Sequence, residues 1–207
     1  MASDGPAPGE QLNEGEVTVP RPAASVIVLR DSADGPEILL VQRNPEQRFM
    51  GGAWVFPGGA VHEEEDGGEP AAAGIRELQE EAAVELAPDA ELIPFVRWIT
   101  PEQVKTRFDT WFYLAVAPDG QEGVCDGSEC VDLRWITAEA ALAAHAQEEL
   151  MLVFPTIRTL QRLTAFKSVD HAMTTARETE TDSIMPRVVQ RGDETVVVLP
   201  GEPGYND

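Results

Sequence analysis

Short apolar runs bounded by turn residues recur along this chain and predict strands of a buried β-sheet. They occupy residues 23–29, 37–42, 92–99, 107–117 and 131–136. The first two runs are separated by the turn-rich stretch 31–35, which indicates a hairpin. Because several of these runs are apolar at consecutive positions, we expect both faces of the sheet to be covered.

Apolar residues at helical spacing mark the segments between and after these strands. Pro70 suits the first position of a helix predicted over residues 71–86, which Pro88 closes. Thr137 caps a second predicted helix over residues 138–150. Two more helices, one beginning at residues 154–156 and one over 169–177, precede a terminal hairpin over 187–199. The alternation of strands and helices indicates an α/β protein.

Length and composition favour one domain with extensions. The chain has 207 residues, of which 43% are apolar, enough for one good core. We predict a disordered N-terminal arm over residues 1–20, a main domain over 21–166, and a C-terminal extension over 167–207 packed on that domain. The sequence shows neither a run long enough to cross a bilayer nor a signal-peptide pattern, so we expect a soluble, cytoplasmic protein.

The formal charge of −22 excludes two classes of partner. Such a surface repels nucleic acid and anionic membranes, so we predict that neither is bound. It also repels a phosphorylated small molecule, unless a divalent cation and local arginines reverse the field. With two cysteines and three scattered histidines, the sequence favours neither a disulfide framework nor a zinc site.

Three glutamates in the first predicted helix have spacing suited to a metal. Glu77, Glu80 and Glu81 lie at i, i+3 and i+4 and so share one helical face. A hard cation such as Mg²⁺, which prefers oxygen ligands, would relieve their mutual repulsion. The alternative is an acidic face in solvent. The opposite face is predicted to be apolar, with Ile75, Leu78 and Ala82.

The order of residues around these glutamates resembles the Nudix box. Gly59 is followed by the run 76–84, which reads RELQEEAAV, and the segment 56–59 reads FPGG. Three residues are inserted before Arg76 relative to the box, so that either Glu65 or Glu69 could replace its first glutamate. Ala83 stands where the box has glycine, and alanine does not favour the left-handed conformation that glycine supplies at a helix end.

A second resemblance lies just upstream. Leu39, Leu40, Arg43, Arg48 and Gly52, followed by the FPGG run, keep the spacing of a motif found in Nudix enzymes that cleave coenzyme A. Guanidinium groups bind phosphates in a bidentate manner, so the two arginines are candidate substrate contacts together with a glycine of the FPGG run, Gly58. Ordinary surface arginines, or partners of the acidic helix, are the alternatives. Val41 and Asn44 depart from the motif, and Trp54 and Phe56 are expected in the core.

The Nudix resemblance implies a fold and a set of roles. The fold is an α/β/α sandwich whose mixed β-sheet lies between the acidic helix and the C-terminal helices, with the C-terminal β-hairpin added. Arg76 is implied to orient a neighbouring acid. The catalytic base is implied to be Glu80 or Glu129, of which Glu129 is in an acidic loop. The implied ligands of Mg²⁺ or Mn²⁺ are the carbonyl of Gly59 and the carboxylates of Glu77, Glu80, Glu81 and Glu129.

The implied reaction is hydrolysis of the diphosphate in a nucleoside diphosphate linked to another moiety. The upstream motif favours coenzyme A or acyl-coenzyme A. ADP-ribose, other nucleotide substrates, and a Nudix-fold module that binds a nucleotide without cleaving it are the alternatives. The helices and hairpin at the C-terminus are expected to cap the site, to form a homodimer surface, or both.

Overall fold

The computed structural model describes residues 11–13, 15–192 and 194–206, without the side chain of Glu194. Five helices are found in this part of the chain: α1 Glu63–Asp66, α2 Pro70–Ala82, α3 Ala138–Ala146, α4 Phe154–Leu163 and α5 Val169–Glu178. The same residues form ten strands: β1 Arg21–Ser32, β2 Gly35–Arg43, β3 Trp54–Val55, β4 Gly58–Ala60, β5 Ile93–Ile99, β6 Phe108–Val116, β7 Cys130–Thr137, β8 Asp182–Ile184, β9 Arg187–Arg191 and β10 Glu194–Val198.

Eight strands form one mixed sheet, as predicted. Its main order is β3-β2-β1-β6-β5-β8, while β4 pairs with β1 and β7 pairs with β2. Strands β1 and β6 run parallel over nine residue pairs, and β5 and β8 also run parallel. The other pairings in this sheet are antiparallel. Strands β9 and β10 form a separate antiparallel hairpin.

Helices cover both faces of the sheet, which confirms the predicted α/β/α sandwich. In β1, Val26 and Val28 pack on the face covered by Leu78 of α2. The alternating residues Ile27 and Leu29 belong to the cluster on the other face, which includes apolar side chains of α3, α4 and α5. Because successive side chains of a strand point to opposite faces, this uninterrupted apolar run supplies both layers.

The sequence placed most elements but not all of their ends. The helix predicted over residues 71–86 ends at Ala82, and Ala83 adopts the left-handed conformation with φ 50°, its N–H bonded to the carbonyl of Gln79 at 3.0 Å. The helix predicted over residues 138–150 ends at Ala146, and Glu148 has φ 62°. Strands β3, β4 and β8 and helix α1 were not predicted, since each spans only two to four residues.

The N-terminal segment is described only in part. Disorder was predicted for residues 1–20. Within this arm, residues 1–10 and 14 lie outside the described residues. The adjoining residues contact the loop between β5 and β6: Leu12 forms a bridge with Val104, and the N–H of Lys105 donates to the carbonyl of Gln11 at 2.8 Å. This part of the predicted arm is therefore hydrogen-bonded to the domain.

The C-terminal residues return to the sheet and then form the hairpin. Strand β8 pairs with residues 96–98 of β5 at the sheet edge. After the hairpin, the Tyr205 hydroxyl donates to the carbonyl of Met185 at 2.8 Å. Within the described residues, no helix is both long and apolar enough to span a bilayer.

Candidate active site

A cavity of about 480 Å³ lies beside β4 and is lined by residues from Arg21 near the N-terminus to Val197 near the C-terminus. Its lining comes from β1, β4 and β6, from the loops after β2 and β5, from the start of α4, and from the β9–β10 hairpin. Glu77 and Glu129 reach the cavity, and both glycines of the FPGG run border it. Of the predicted site residues, five line this cavity and four do not: Arg43, Gly58, Gly59, Glu77 and Glu129 are in its lining, and Arg48, Arg76, Glu80 and Glu81 are not.

Two glycines allow the acidic helix to approach the sheet. Strand β4 pairs with β1, with Ala24 opposite Gly59 and Ser25 opposite Gly58. A Cβ added to Gly59 would lie 2.3 Å from Oε1 of Glu77, and one added to Gly58 would lie 2.3 Å from the carbonyl oxygen of Ala24. Gly58 therefore needs glycine, because the obstacle is the main chain of β1, whereas a Cβ at Gly59 would displace the Glu77 carboxylate, which lies directly over the strand.

Glu81 is the most deeply buried of the three glutamates, with 2% of its surface exposed. Its Oε2 accepts the N–H of Gly58 at 2.9 Å, while its Oε1 is buried without a hydrogen-bond partner in the described residues. Burial raises the pKa of Glu81 to about 7, opposed by the hydrogen bond from Gly58. An unpaired buried carboxylate oxygen is costly unless a cation or proton compensates it.

Glu77 and Glu80 are more accessible than Glu81. Burial raises the pKa of Glu77; Arg76 opposes this effect, and the negative charges of Glu80 and Glu129 reinforce it. Glu80 has 59% of its side chain exposed. Glu129 is exposed in the loop before β7 and lines the same cavity as Glu77. The fold therefore brings Glu129 to the acidic helix, although they are far apart in sequence.

Arg76 binds the acidic cluster through all three guanidinium nitrogens. Its NH1 donates to Glu77 at 2.8 Å and to Glu80 at 2.9 Å, and its NH2 donates to the carbonyl of Ala60 at 3.1 Å. Nε and NH2 contact the two carboxylate oxygens of Asp66 at 2.9 and 3.1 Å. These bonds, above all those to Asp66, raise the pKa of Arg76, so its charge is permanent.

Asp66 was not among the predicted site residues, yet it is the bidentate partner of Arg76. It is 6% exposed, and the hydrogen bonds from Arg76 lower its pKa. Glu65, one of the two candidates for the first box glutamate, approaches Arg76 only to 3.8 Å and contacts His62 at 2.7 Å. The other candidate, Glu69, is the N-cap residue of α2. The acidic run 63–66 was the sequence feature that could have indicated a partner for Arg76. Because of the insertion, the sequence does not show which acid of this run is buried against Arg76.

The two upstream arginines have different surroundings. Arg43 lines the cavity, donates to Oε1 of Gln47 and has a buried Nε without a partner in the described chain. Arg48 is exposed and is absent from the cavity lining. The N–H of Gly58 is taken by Glu81. Trp54 and Phe56 are 3% and 2% exposed and lie in the core, as expected.

The donor set suits a hard cation, although the acids do not converge on one point. Among the described residues, no three His, Cys, Asp or Glu side chains form a ready metal cage. Arg76 holds Glu77 and Glu80, and Glu81 faces Gly58. The donors are nonetheless all oxygens, as Mg²⁺ and Mn²⁺ prefer, and Oε1 of Glu81 is an unsatisfied one. The residues therefore fit such an ion.

Comparison with known proteins agrees with this geometry. A family model described as the NUDIX domain matches residues 19–181. The chain therefore belongs to the Nudix family, and it is a hydrolase of that family. A search of curated proteins gives no significant match.

Solved structures of Nudix proteins share the fold. A NUDIX hydrolase from Alicyclobacillus acidocaldarius is 27% identical, with a TM-score of 0.69, covering 76% of this chain and 96% of its own. The NUDIX domain of NrtR from Shewanella oneidensis, complexed with ADP ribose, is 21% identical, with a TM-score of 0.55, covering 72% and 88%. RenU, a Nudix hydrolase from M. smegmatis, is 21% identical with a TM-score of 0.53, covering 83% and 96%.

Proposed function

We propose that this chain hydrolyses the diphosphate bond of a nucleoside diphosphate linked to another moiety, with Mg²⁺ or Mn²⁺ bound by its acidic helix. One observation carries the proposal. Glu77 and Glu129 line the cavity together with Gly58 and Gly59, and Gly58 donates to Glu81, whose other carboxylate oxygen has no partner in the described residues. This arrangement joins oxygen donors to a space large enough for a nucleotide derivative.

Each acidic residue has a role in this proposal. Glu77, Glu80, Glu81 and Glu129 would hold the ion together with the Gly59 carbonyl. When bound, the ion neutralises phosphate oxygens and lowers the pKa of water. The base that takes a proton from water is Glu80 or Glu129, both of which are exposed enough to reach solvent. The pairing of Glu80 with Arg76 favours Glu129, since the hydrogen bond from the guanidinium occupies an oxygen of the Glu80 carboxylate.

Two residues around the acidic end have supporting roles. Arg76, held by Asp66, fixes the carboxylates of Glu77 and Glu80. Arg43 is the candidate for binding a substrate phosphate, because it lines the cavity and has an unpaired Nε. Gly58 contributes through its missing side chain, and Arg48, exposed outside the cavity lining, is the second arginine proposed for a substrate phosphate.

The upstream sequence motif favours coenzyme A or acyl-coenzyme A as the substrate. Arg43, which belongs to that motif, lines the cavity. ADP-ribose is the competing candidate, since the similar Shewanella domain was solved with that ligand. Purified protein should be assayed with both substrates in Mg²⁺ and in Mn²⁺, and the products identified by mass spectrometry. Equal kcat/KM values for coenzyme A and ADP-ribose would remove the coenzyme A proposal, and no turnover of any diphosphate would remove the hydrolase mechanism.

A nucleotide-binding role without turnover is the second candidate. It is favoured by one observation, that Arg76 pairs with Glu77 and Glu80 and leaves no three described acids converging. Calorimetry with ADP-ribose and with Mn²⁺ distinguishes the two functions. The proposed hydrolase takes up Mn²⁺ and turns over substrate, whereas a binding module retains the nucleotide unchanged.

A further inference from the structure

The cavity has two chemically different ends. Beyond the carboxylates of Glu77 and Glu129, most of its lining is apolar. Six aromatic residues from five separate parts of the chain border the cavity, of which Phe56, Trp98 and Phe112 are otherwise buried; the full set is Phe49, Phe56, Trp98, Phe108, Phe112 and Phe154. A ligand that reaches the carboxylates with its phosphates therefore has its remaining part among hydrocarbon groups.

Some polar groups near the apolar lining are already paired. Besides the two glutamates, the polar residues of the described lining are Arg21, Ser25, Arg43, His62, Thr100, Thr110 and Thr156. The indole N–H of Trp98 donates to Thr159 at 3.1 Å, and the Thr100 hydroxyl accepts the N–H of Phe108 at 3.0 Å. Apart from Glu77 and Glu129, the described lining contains no Asp, Glu, Asn or Gln. A nucleobase placed here would find few partners for its polar edge, whereas a hydrocarbon group would leave no hydrogen bond unmade.

The β9–β10 hairpin supplies one wall of this end. Val188 and Val197 are directly opposite each other in the two strands, and both line the cavity. Their neighbours Val189 and Val196 are also paired with each other. Because side chains alternate along a strand, Val189 and Val196 lie on the opposite face of the hairpin, which also carries the buried Val198; we call this the outer face.

The hairpin contacts the loop between β5 and β6, which also lines the cavity. The N–H of Val188 donates to Oε1 of Gln103 at 3.4 Å, and a guanidinium nitrogen of Arg107 lies 3.7 Å from the sulfur of Met185. The hairpin follows the stretch 19–181 that matches the family model. It is therefore an addition to the family domain that encloses one end of the site.

We infer that the inner face of this hairpin, Val188 and Val197, forms a subsite for an extended apolar chain carried by the substrate beyond its phosphates. This inference rests on the proposed function in one respect, that phosphate groups bind at the acidic end. The two valines thus determine specificity: they select a phosphorylated compound with a hydrocarbon tail over one with a second sugar or base.

Alkyl phosphates test the subsite without any hydrolysis, because they contain no diphosphate bond. Binding of butyl, hexyl and octyl phosphate to the full chain is measured by calorimetry in Mg²⁺. Each added pair of methylene groups should raise the affinity of the wild type about tenfold, as expected for buried CH₂ groups. In Val188→Trp and Val197→Trp, the large ring fills the subsite, and this increase should disappear while butyl phosphate binding persists.

Outer-face variants provide the matched control. Val189→Trp and Val196→Trp place the same ring on the same strands and should keep the tenfold steps. The double variant Val188→Thr with Val197→Thr preserves the shape of both side chains and should reduce each step several-fold, which covers the case in which the tryptophan variants do not fold. Circular dichroism of each variant verifies folding.

Two results would overturn the inference: affinities of the wild type that do not depend on chain length, or the same loss in the outer-face and inner-face variants. The same experiments distinguish a failure of the proposed function from a failure of this inference. If no diphosphate substrate is cleaved but the tenfold steps and their loss in the inner-face variants are observed, the apolar subsite stands and the hydrolase mechanism does not.

Discussion

The two ends of the cavity differ in how the chain constructs them. The acidic end comes mainly from two neighbouring segments, a glycine strand and the helix that follows it, packed so closely that a Cβ at Gly59 would meet the Glu77 carboxylate. Only Glu129 reaches this end from a distant loop among the acids proposed for the site. The apolar end is assembled from aromatic and aliphatic side chains of distant segments, the last of them in the hairpin. The acidic end, where the proposed reaction takes place, thus depends on close local packing. The apolar end, where the proposed substrate selectivity lies, depends on surfaces of separate segments, each of which can change without the others.

The largest effect is expected at the acidic end. Glu80→Gln removes a proposed metal ligand and should lower kcat by about 10²–10³-fold, a magnitude typical of lost transition-state charge stabilisation. Its unfolding free energy should change little, because 59% of the side chain is exposed. Steady-state kinetics in Mg²⁺ and urea unfolding measure both quantities. Glu64→Gln, an exposed carboxylate of α1, is the control and should retain full activity.

Next in size is the loss of the buried partner of Arg76. Asp66→Asn leaves the guanidinium without its bidentate acceptor, and should lower the unfolding free energy by about 3–5 kcal/mol. Urea denaturation measures this change. The control is Glu91→Gln, which breaks an exposed pair with Arg177 and should leave stability unchanged. An equally small effect at Asp66 would contradict the distinction between the two pairs.

The same ion pair predicts a pH dependence. Arg76 lowers the pKa of Asp66 below its value in the unfolded chain, so the pair stabilises the fold above that unfolded value. This stability is lost as the pH falls through the lower pKa of the folded state. Below about pH 4, the unfolding free energy of the wild type should decrease more steeply than that of Asp66→Asn. Parallel curves for the two proteins would show that Asp66 is not the responsible group.

A smaller effect of a different kind is expected at the apolar end. Phe108→Ala removes a ring that lies 5.9 Å from Phe49, centroid to centroid, and lines the cavity. Because this contact binds substrate and transition state alike, KM should rise about tenfold with kcat nearly unchanged. Steady-state kinetics separate the two constants. A fall in kcat without a change in KM would mean that the two ends are not functionally distinct.

The smallest effect concerns the end of the acidic helix. Ala83 has φ 50°, a conformation that glycine adopts without a steric penalty. Ala83→Gly should therefore raise the unfolding free energy by about 1 kcal/mol. Thermal and urea unfolding measure the gain, and kcat should stay unchanged since no carboxylate moves. Destabilisation would indicate that the alanine methyl group makes packing contacts that outweigh its strain.

The same contrast explains which parts could be predicted from the sequence. Apolar runs such as that of β1, whose alternate residues fill both layers, predicted a sheet covered on both faces, and the Nudix resemblance implied the sandwich. The acidic end followed from a local motif, in which Gly59 and the three glutamates have fixed spacing. Asp66 could not be chosen over Glu65 or Glu69, because the three-residue insertion changes the turn that aims these side chains. The three glutamates share one helical face, but burial of Glu81 depends on the position of β4.

The position of the terminal hairpin beside the cavity could not be predicted from the sequence, for another physical reason. The terminal hairpin was predicted from its own apolar pattern, but its docking depends on single contacts such as Gln103 with Val188, which leave no periodic signal. Ile75 shows the same limit. It was assigned to the apolar face of the helix together with Leu78 and Ala82, yet it is 39% exposed whereas both of those residues are fully buried.

The short strand β8 determines how the chain behaves when residues after 181 are removed. Its three residues pair in parallel with residues 96–98 of β5, at the outermost position of the large sheet. A fragment trimmed at residue 181, where the family match stops, would leave those main-chain amides and carbonyls bare. An unprotected sheet border recruits strands from other molecules, so such a fragment should precipitate or self-associate where the full-length chain does not.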